Sequence, residues 1–441
     1  MENNSGDDRQ IKLLYEHFLR HPHISTDSRN INSGDVFFAL KGENFDGNEF
    51  VPAALEKGAS LVVFDSVKMK SRFGKMESNS RILFSENSLA TLQALAAYHR
   101  KHLSTTIIGI SGTNGKTTTK ELIQTVLSKK YSCVATKGNL NNHIGVPLTL
   151  LSITSQTEVA IVEMGANHPG EIEFLCRIAQ PDMAILTNIG TAHIEGFGSY
   201  ENIVKTKKAL FESVRQSNGS KAHIFVNADD KALADEKYSS MTTYSLYGKA
   251  DITGRILHDS PFASIETDNT VIRSRLTGSY NAHNMLAAVS IGRYMGIEIN
   301  AIKEAIEAYV PSNNRSQIVK KGSNTLIMDC YNANPSSCRA ALESFAQMEA
   351  KHKVVLLGAM KELGEVSEKE HEKCYRLAKS MNFERIMLVG EEYKPFAKDG
   401  DLWFESSEKL RSYLADNPIS DSLILIKGSR STKMEVVEDV L

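Results

Sequence analysis

The sequence predicts an α/β protein of three domains, and three features of the chain lead to that prediction. Its 441 residues are long for a single hydrophobic core. Short apolar runs typical of strands alternate with stretches typical of helices, which indicates parallel sheets covered by helices. The alternation restarts after the proline- and asparagine-bearing segment 310–317. We therefore expect domains at residues 1–104, 105–311 and 312–441.

The first predicted domain is a small α/β unit. It contains two short strand candidates, 35–40 and 60–65, with a helix candidate between them at 51–59. A further helix, predicted over 86–102, leads up to the next domain.

The second domain opens with a strand over 105–111, followed directly by "SGTNGKTTTK" and a helix. That helix carries an apolar stripe at i, i+1, i+4 and i+5, which faces a core. Its members are Leu122, Ile123, Val126 and Leu127. Three more strands end in polar residues, and a helix closes the domain; they are predicted over 158–164, 182–189, 223–230 and 281–296. We expect a central parallel-sheet domain built around the glycine-rich turn.

The third domain repeats the strand–helix alternation. Its predicted elements are the strands 324–331, 353–360, 385–390 and 423–429 and the helix 336–348. This pattern predicts a Rossmann-like, doubly wound open sheet.

The composition is that of an ordinary globular chain, with 41% hydrophobic and 24% charged residues. The formal net charge of −2 gives no reason to expect nucleic acid as a partner. The polar N-terminus does not resemble a signal peptide, and no apolar stretch approaches the roughly 20 residues that span a bilayer. The five cysteines are scattered and form no CxxC pair, which suits a reducing compartment and argues against a disulfide framework or zinc site. We expect a cytoplasmic protein that is not embedded in a membrane.

The turn "SGTNGKTTTK" predicts a phosphate-binding loop. Gly112 and Gly115 allow backbone N–H groups to turn inward, and the start of the following helix adds its positive end. Lys116 would contact the β- and γ-phosphates, and the Thr117 hydroxyl would bind Mg²⁺. The general P-loop expression requires glycine at position 110, where this chain has Ile110. The alternative is an ordinary glycine-rich turn, but the strand before and the helix after "GKTTT" favour a nucleotide site.

Polar residues at other strand ends form the next candidates. Ligands of parallel α/β sheets bind beyond the carboxyl ends of the strands, so Glu163 and His193 should face the phosphate loop. They could hold a second Mg²⁺, although imidazole is an unusual magnesium ligand. Either residue could equally be a solvated loop residue. The three lysines of "KTKK", residues 205–208, taken alone indicate a solvated helix face.

Two asparagine-rich segments are ambiguous on their own. Asn281 and Asn284 begin a predicted helix, where asparagine amides either contact an adenine edge or cap the helix. The segment "MDCYNANPSS" after the strand at 324–331 is either a binding edge or an Asn/Pro turn with a helix cap.

Taken in order, seven segments of the chain resemble the Mur ligase family over essentially its whole length. They are "TDSRNINSGDVFFALKGENFDGNEFV", "GTNGKTTTKELI", "GNLNNHIGVPLTLL", "EMGANHPGEI", "TNIGTAHIEGFGS", "NAHN" and "DCYNANPSS". The resemblance also accounts for Ile110, because this family's loop lacks the first glycine of the general pattern.

The resemblance implies roles for individual residues. The family's residues that bind the uridine nucleotide and its sugar-diphosphate correspond to Ser28, Arg29, Asn44, Asp46, Gly47, Asn139 and Asn142. The family's residues that bind ATP correspond to Gly112, Thr113, Asn114, Gly115, Lys116, Thr117, Thr118, Asn281, Asn284, Arg315 and Asp329. The metal ligands match Thr117, Glu163, His193 and Lys207, the last as a carbamylated lysine, and these residues with Lys116 form the catalytic set. The side of the incoming dipeptide matches Tyr331, Asn332, Asn334, Ser336 and Arg430.

The chain departs from the family pattern at two of these segments. The family often has histidine where this chain has Asn48, and aspartate where it has Ala359. Any role of those family side chains is therefore missing here or supplied elsewhere.

"YNANPSS" indicates which type of the family the chain resembles. The type that adds a single amino acid typically has an arginine in a DNPR-like motif, at the position of Ser336 here. The resemblance to the dipeptide-adding type implies an ADP-forming ligase that joins D-alanyl-D-alanine to UDP-N-acetylmuramoyl-tripeptide through an acyl phosphate, for peptidoglycan synthesis. It implies ATP, two Mg²⁺ ions and a monomer, with the three domains binding the UDP-sugar-peptide, ATP and the dipeptide in chain order. The alternatives are an amino-acid-adding Mur ligase, a folylpolyglutamate-synthase-like ligase, or a switch or scaffold that only binds ATP.

Overall fold

The structure is a computed structural model that describes residues 4–43, 45–73, 81–217, 219–258, 261–312, 314–398 and 401–441. It has the predicted α/β architecture, with three sheets that are parallel or mostly parallel. A smaller antiparallel sheet, which the sequence pattern did not predict, is added to the middle one.

The N-terminal region forms a four-stranded parallel sheet in the order β1-β2-β3-β4. Its strands are β1 (Ile24–Ser25), β2 (Val36–Phe38), β3 (Leu61–Phe64) and β4 (Ile82–Phe84), and its helices are α1 (Asn4–Arg20), α2 (Val51–Glu56), α3 (Val67–Phe73) and α4 (Ser88–Lys101). Strands β2 and β3 are continuous apolar runs buried throughout, as expected of a parallel sheet covered on both faces. The polar start of α1 hid this helix from the sequence analysis.

The central region is a seven-stranded parallel sheet in the order β11-β10-β9-β8-β5-β7-β6. The strands are β5 (Thr106–Ser111), β6 (Cys133–Ala135), β7 (Val159–Glu163), β8 (Met183–Leu186), β9 (His223–Asn227), β10 (Met241–Ser245) and β11 (Ile252–Thr253). The helices are α5 (Lys116–Leu127), α6 (Gly145–Leu151), α7 (Glu171–Ala179), α8 (Ile194–Phe197), α9 (Tyr200–Ser217), α10 (Asn281–Tyr294) and α11 (Ile299–Ala308). Because β5 lies between β7 and β8, the loops that follow these three strands meet at one edge of the sheet.

The unpredicted antiparallel sheet packs against α10 and α11 and consists of β12 (Arg255–Leu257), β13 (Phe262–Thr267) and β14 (Thr270–Thr277). Within β14, buried Ile272, Ser274 and Leu276 alternate with exposed Arg273 and Arg275. This period of two is typical of a sheet with one buried face.

The C-terminal region is a six-stranded sheet in the order β15-β16-β20-β17-β18-β19. Its elements are β15 (Gln317–Lys321), β16 (Asn324–Asp329), α12 (Pro335–Gln347), β17 (Lys353–Gly358), α13 (Ser367–Ser380), β18 (Arg385–Val389), β19 (Leu402–Phe404), α14 (Ser407–Asp416) and β20 (Leu423–Lys427). Only the edge strand β15 is antiparallel to its neighbour. Apolar clusters lie on both faces of the sheet, as in a doubly wound fold.

The N-terminal and central regions share one apolar core. Leu92 and Leu95 of α4 belong to the same buried cluster as Val146 and Leu150 of α6. The Arg100 side chain at the end of α4 adds hydrogen bonds to the Ala179 and Gln180 carbonyls and an ion pair of 2.9 Å with Asp182. Helix α4 therefore packs as much on the central region as on its own sheet, and the predicted boundary at residue 104 falls directly after it.

Among the described residues, no helix combines the length and the apolar content that crossing a bilayer requires.

Candidate active site

A large cavity, with a volume of about 760 Å³, lies at the edge where the loops after β5, β7 and β8 meet. Most of the residues predicted to bind ATP, metal or dipeptide line it, together with two of those predicted to bind the UDP-sugar, Asn139 and Asn142. From the central region these are Gly112, Thr113, Asn114, Gly115, Lys116, Thr117, Thr118, Asn139, Asn142, Glu163, His193, Lys207, Asn281 and Asn284. From the C-terminal segment they are Arg315, Asp329, Tyr331, Asn332, Asn334 and Ser336. Residues far apart in the sequence thus converge on one cavity between two regions.

The loop after β5 has the backbone that its glycines permit. Gly112 and Gly115 have φ angles of 142° and 77°, in the region that favours glycine. A Cβ atom on Gly112 would lie 2.0 Å from the Thr187 hydroxyl oxygen, and one on Gly115 would lie 2.5 Å from Oδ1 of Asn284. Both glycines are therefore required by conformation and by space, and α5 begins at the next residue, Lys116.

Two lysine side chains meet on one carbonyl of this loop. The Gly112 oxygen accepts hydrogen bonds from Nζ of Lys116 at 2.9 Å and Nζ of Lys207 at 3.0 Å. Burial lowers the pKa of Lys116. Burial, together with the charge of Lys116, lowers the pKa of Lys207 to about 7. Lys207 is buried, so the prediction of a solvated face is wrong for this lysine, although Lys205 of the same run is exposed.

Glu163 at the end of β7 is buried and held on both carboxylate oxygens. The Thr117 hydroxyl donates to Oε2 at 2.9 Å, and the Asn141 amide donates to Oε1 at 2.8 Å. Nζ of Lys120 lies 3.9 Å from Oε2. Sequence reasoning missed Asn141 and Lys120, although the asparagine run of "GNLNNHIG" and the second lysine of "GKTTTK" were the available signals.

The donors around Glu163 suit a magnesium ion. A carboxylate and a hydroxyl are the oxygen ligands that Mg²⁺ prefers, and Mg²⁺ is commonly held by one or two carboxylates plus substrate phosphates. Within the described ranges, no three His, Cys, Asp or Glu side chains cluster as a self-contained metal site. The ammonium form of Lys207 is unsuited to the role of ligand.

His193 reaches the cavity from the loop after β8. Its φ of 53° lies in the left-handed region, and its Nδ1 atom lies against Oε2 of Glu362, which belongs to the loop after β17. His193 lowers the pKa of the Glu362 carboxyl by hydrogen bonding. Sequence analysis did not identify Glu362.

Asn281 and Asn284 at the start of α10 use their amides inside the protein. Asn281 donates to the Thr277 carbonyl at 2.7 Å and accepts from Asn284 at 2.7 Å, and Asn284 accepts from the Thr119 hydroxyl at 3.0 Å. These bonds fasten the phosphate-loop helix to α10. The adenine contact implied for both residues stays a prediction.

Three other polar side chains near α10 line the cavity: His283, which belongs to the same predicted helix start as Asn281 and Asn284, and Asp229 and Tyr247, which the sequence analysis missed. Nε2 of His283 contacts Asp229 at 3.0 Å, and the exposed Tyr247 ring lies 5.7 Å from the His283 ring. Asp229 and Tyr247 lie in loops whose positions depend on the sheet order, and the sequence gives no local signal for that order.

The C-terminal region closes the other side of the cavity. Asn114 of the phosphate loop donates to the Ser336 hydroxyl at 2.8 Å and accepts from the Asn334 amide at 2.8 Å. The Asn334 side chain also caps α12 through the Ser337 amide, so the Asn/Pro turn with a helix cap is present, and the binding edge at the same segment stays a prediction.

Charged residues of the C-terminal region complete this wall. Buried Lys427 pairs with Asp329 at 3.1 Å. The Arg315 guanidinium lies 3.8 Å from the centre of the Tyr331 ring. Arg430 lies farther out, 5.4 Å from the same ring and mostly exposed, and it does not line the cavity.

Of the residues predicted to bind the UDP-sugar, Asn139 and Asn142 line the first cavity, whereas Ser28, Arg29, Asp46 and Gly47 do not. Asp27 caps a short 3-10 helix, Ser28–Asn30, and pairs with Arg29 at 2.9 Å. A second cavity, of about 570 Å³, is lined by residues 23–27, Asn30 and Leu148 among others. Asn44 lies outside the described residues.

Asp46 and Gly47 hold the loop before α2. Asp46 accepts from the Asn48 backbone amide at 2.9 Å, and a Cβ atom on Gly47 would lie 2.3 Å from the Leu40 carbonyl oxygen. Asn48, where the family often has histidine, is buried and bonds to Asp46 and Asp65. The asparagine therefore ties this loop together.

Ala359, where the family often has a carboxylate, is fully buried at the end of β17. A Cβ atom added to Gly390 would lie 2.7 Å from the Ala359 Cβ, so these two chain segments pack closely.

Comparisons with known proteins agree with this arrangement. Three family models match the chain: "Mur ligase family, catalytic domain" at residues 22–100, "Mur ligase middle domain" at 110–292 and "Mur ligase, glutamate ligase domain" at 314–430. The UDP-N-acetylmuramoyl-tripeptide--D-alanyl-D-alanine ligase of Bacillus subtilis is 32% identical over 97% of this chain and 94% of its own length. A crystal structure of a MurF ligase from Thermotoga maritima in complex with ADP is 28% identical, with a TM-score of 0.82 over 96% of this chain and 97% of its own. A crystal structure of MurF from Acinetobacter baumannii is 29% identical, with a TM-score of 0.81 over 95% of this chain and 92% of its own.

A phosphate loop facing a C-terminal doubly wound sheet, in a chain matched over nearly its whole length, confirms the resemblance seen in the sequence: the chain belongs to the Mur ligase family.

Proposed function

We propose that this chain is an ATP-dependent, ADP-forming ligase that joins D-alanyl-D-alanine to UDP-N-acetylmuramoyl-tripeptide in peptidoglycan synthesis. One observation carries the proposal. The phosphate loop and the strand ends of the C-terminal sheet line a single cavity, in a chain similar over nearly its full length to ligases of that name. A cavity built from two regions suits a reaction that joins two substrates.

The reaction must first activate a carboxylate, which is a poor acyl donor because its oxygen leaves badly and its charge repels nucleophiles. Transfer of the γ-phosphoryl group of ATP to the peptide carboxylate gives an acyl phosphate and ADP. The amine of D-alanyl-D-alanine then attacks the carbonyl carbon, and phosphate leaves from the tetrahedral intermediate as the amide forms. The amine loses its proton in this step.

The residues of the phosphate loop support the first step. Lys116 donates to the Gly112 and Thr113 carbonyls at 2.9 and 3.1 Å, and in this proposal its ammonium group would contact a β- or γ-phosphate bound at the loop. The backbone amides of the loop and the start of α5 supply further positive charge for the transferring group. Closure of the cavity by the C-terminal region would exclude water from the acyl phosphate.

Thr117, Glu163 and His193 are the residues that would hold Mg²⁺. When bound, Mg²⁺ supplies neutralising charge for the phosphate oxygens. The Glu163 carboxylate is fixed by Asn141 and Thr117, so it would be held in place before an ion arrives. A second magnesium ion belongs to the proposal and rests on the same residues together with Lys207.

Lys207 is proposed to carry a carbamate. Its low pKa leaves much of the amine neutral near pH 7, and a neutral amine attacks CO₂, forming an N–C bond with loss of one proton. The product is an anion, which removes the repulsion between two buried lysines and provides oxygen ligands near Lys116. The unmodified amine, which donates to the Gly112 carbonyl, is the alternative.

The remaining assignments also stay proposals. The residues that would bind the UDP-sugar are Ser28, Arg29, Asn44, Asp46, Gly47, Asn139 and Asn142. Arg315 and Asp329 would contact ATP, while Tyr331, Asn332, Asn334, Ser336 and Arg430 would face the dipeptide. The domain limits at residues 104 and 311, a monomer and a cytoplasmic location complete the proposal; the five free cysteines are consistent with that location.

Phosphate release tests the proposal. A ligase of this kind releases ADP and phosphate only when ATP, the UDP-linked tripeptide and D-alanyl-D-alanine are all present, and mass spectrometry detects the UDP-linked pentapeptide. Replacing the dipeptide with single amino acids separates the amino-acid-adding alternative. ATP hydrolysis that ignores both acceptors would contradict the proposal and favour a nucleotide-dependent switch.

A further inference from the structure

The contact between His193 and Glu362 joins a proposed metal ligand to a residue of another region. Nδ1 of His193 is shielded from solvent and has no hydrogen bond of ordinary geometry among the described residues, and the Glu362 carboxylate lies directly against it. Because a carboxylate accepts hydrogen bonds, the proton of a neutral His193 ring belongs on Nδ1. The lone pair of Nε2 is then the one available to a ligand in the cavity that His193 lines.

The backbone at both ends of this contact is unusual. His193 has φ 53° and Glu362 has φ 63°, and neither residue is a glycine. Non-glycine residues adopt this region at a cost and are held there by their surroundings. Gly364 has φ 52°, and a Cβ atom on it would lie 3.3 Å from the side chain of Glu195, so the two loops approach closely around the contact.

A purely stabilising role does not explain the pair well. The Glu362 side chain is 58% exposed, and an ion pair with so exposed a member contributes little to stability. A contact of this type acts mainly by fixing the orientation of the imidazole ring, as carboxylates do for metal-binding histidines.

We propose that Glu362 is a positioning residue that fixes the ring orientation of His193 toward the metal, so that a complete metal site forms only when the C-terminal region is docked. This rests on the proposed function, in which His193 is a metal ligand. In this way the Glu362 side chain couples docking of the C-terminal region to the geometry of the metal site.

The experiment measures metal binding directly, by the electron paramagnetic resonance of Mn²⁺ titrated into the full-length protein with ADP. Glu362→Ala is expected to weaken Mn²⁺ binding about tenfold, the lower end of effects seen for groups that orient metal ligands. Glu362→Gln, whose carbonyl still accepts from Nδ1, is expected to bind Mn²⁺ nearly as the wild type does. The matched control is Glu365→Ala, an exposed acid three residues further along the same loop, which should change nothing.

A double variant separates positioning from general disturbance. In a His193→Ala background, Glu362→Ala should cause no further loss, because the carboxylate then has no ring to orient. Melting temperatures of all variants should agree with the wild type.

Three results would overturn the proposal: wild-type Mn²⁺ affinity in Glu362→Ala, an equal loss in Glu362→Gln, or additive losses in the double variant. The titration needs no ligation, so its outcome is independent of the assay for the proposed function. A protein that fails to form the pentapeptide yet shows the Mn²⁺ pattern would contradict only the function.

Discussion

The central region has two interfaces of opposite character. Toward the N-terminal sheet it shares a continuous apolar core, in which Leu92 and Leu95 pack with Val146 and Leu150. Toward the C-terminal sheet no buried apolar cluster crosses within the described ranges, and the contacts seen there are polar: Asn114 with Asn334 and Ser336, and His193 with Glu362. Apolar cores come apart only on unfolding, whereas a polar interface can open and close. We therefore expect the phosphate-transfer residues to lie in the unit formed by the N-terminal and central regions, which stays together. The C-terminal region would complete the site when it closes.

The largest effect is expected at the phosphate loop, in the unit that stays together. Lys116→Ala removes the ammonium that would neutralise the transferring phosphoryl group, so we expect turnover to fall by at least about 10³-fold. Steady-state phosphate release measures the change. The control Lys129→Ala removes an exposed lysine beyond the end of α5 and should retain full activity. Near-normal turnover in Lys116→Ala would place the chemistry elsewhere.

Lys207→Ala should come next, with a loss of about 10²- to 10³-fold if the buried amine carries a carbamate that completes the metal site. Millimolar short-chain carboxylic acid should restore part of the rate by occupying the vacated space. Lys205→Ala, the exposed lysine on the same helix, is the control. Near-normal rates in Lys207→Ala without added acid would rule out the carbamate.

The carbamate proposal also predicts how the rate of activation by CO₂ changes with pH. The pKa of Lys207 is lowered to about 7, so the amine becomes mostly neutral as pH rises through that value. Activation of CO₂-depleted enzyme by added CO₂ should therefore be faster at pH 8 than at pH 6.

The shared apolar core predicts that the N-terminal and central regions unfold together. Leu150→Ala removes a fully buried side chain from that core and should lower the free energy of unfolding by about 2–5 kcal/mol. Urea unfolding followed by circular dichroism measures the loss, and proteolysis should show the N-terminal and central regions becoming susceptible together. Separate melting of these two regions would contradict a common core.

Asn114→Ala tests the polar interface. The change removes both hydrogen bonds to α12, each worth about 0.5–1.5 kcal/mol, and should favour the open arrangement without unfolding either region. We expect about a tenfold rise in the KM for the dipeptide and a larger radius of gyration by small-angle X-ray scattering. An unchanged radius would indicate that other contacts hold the regions together.

The smallest effect is expected at Arg430, which is mostly exposed beside Tyr331. Arg430→Ala should raise the KM for the dipeptide a few-fold and leave kcat nearly unchanged, because a side chain outside the cavity contributes to attraction more than to chemistry. Isothermal titration with D-alanyl-D-alanine provides a second measure. A large fall in kcat would move Arg430 into the reacting centre.

Local patterns explain what could be predicted from the sequence. The phosphate loop, Glu163 and the Asn334 cap lie at strand–helix junctions, where a few adjacent residues determine the backbone. Lys207 could be assigned only through the resemblance, because its burial depends on α9 packing under the loop. Glu362, Asn141 and Tyr247 depend on which strands are neighbours and on how two regions meet, and no local pattern encodes either. The antiparallel sheet was not predicted, because the βα alternation on both sides of it indicates parallel strands, although β14 itself has a period of two.

Helix α4 has a consequence for the length of the acceptor. Since α4 packs the N-terminal sheet against α6 and α7 through a shared apolar core, we expect the distance between the 23–30 segment and the phosphate loop to vary little. If the uridine end of the acceptor binds at this segment, as proposed, its carboxylate would reach the γ-phosphate only when the peptide has the right number of residues. The enzyme would then select acceptors by peptide length. An acceptor one residue shorter would bind well, but its carboxylate would not reach the reacting phosphorus.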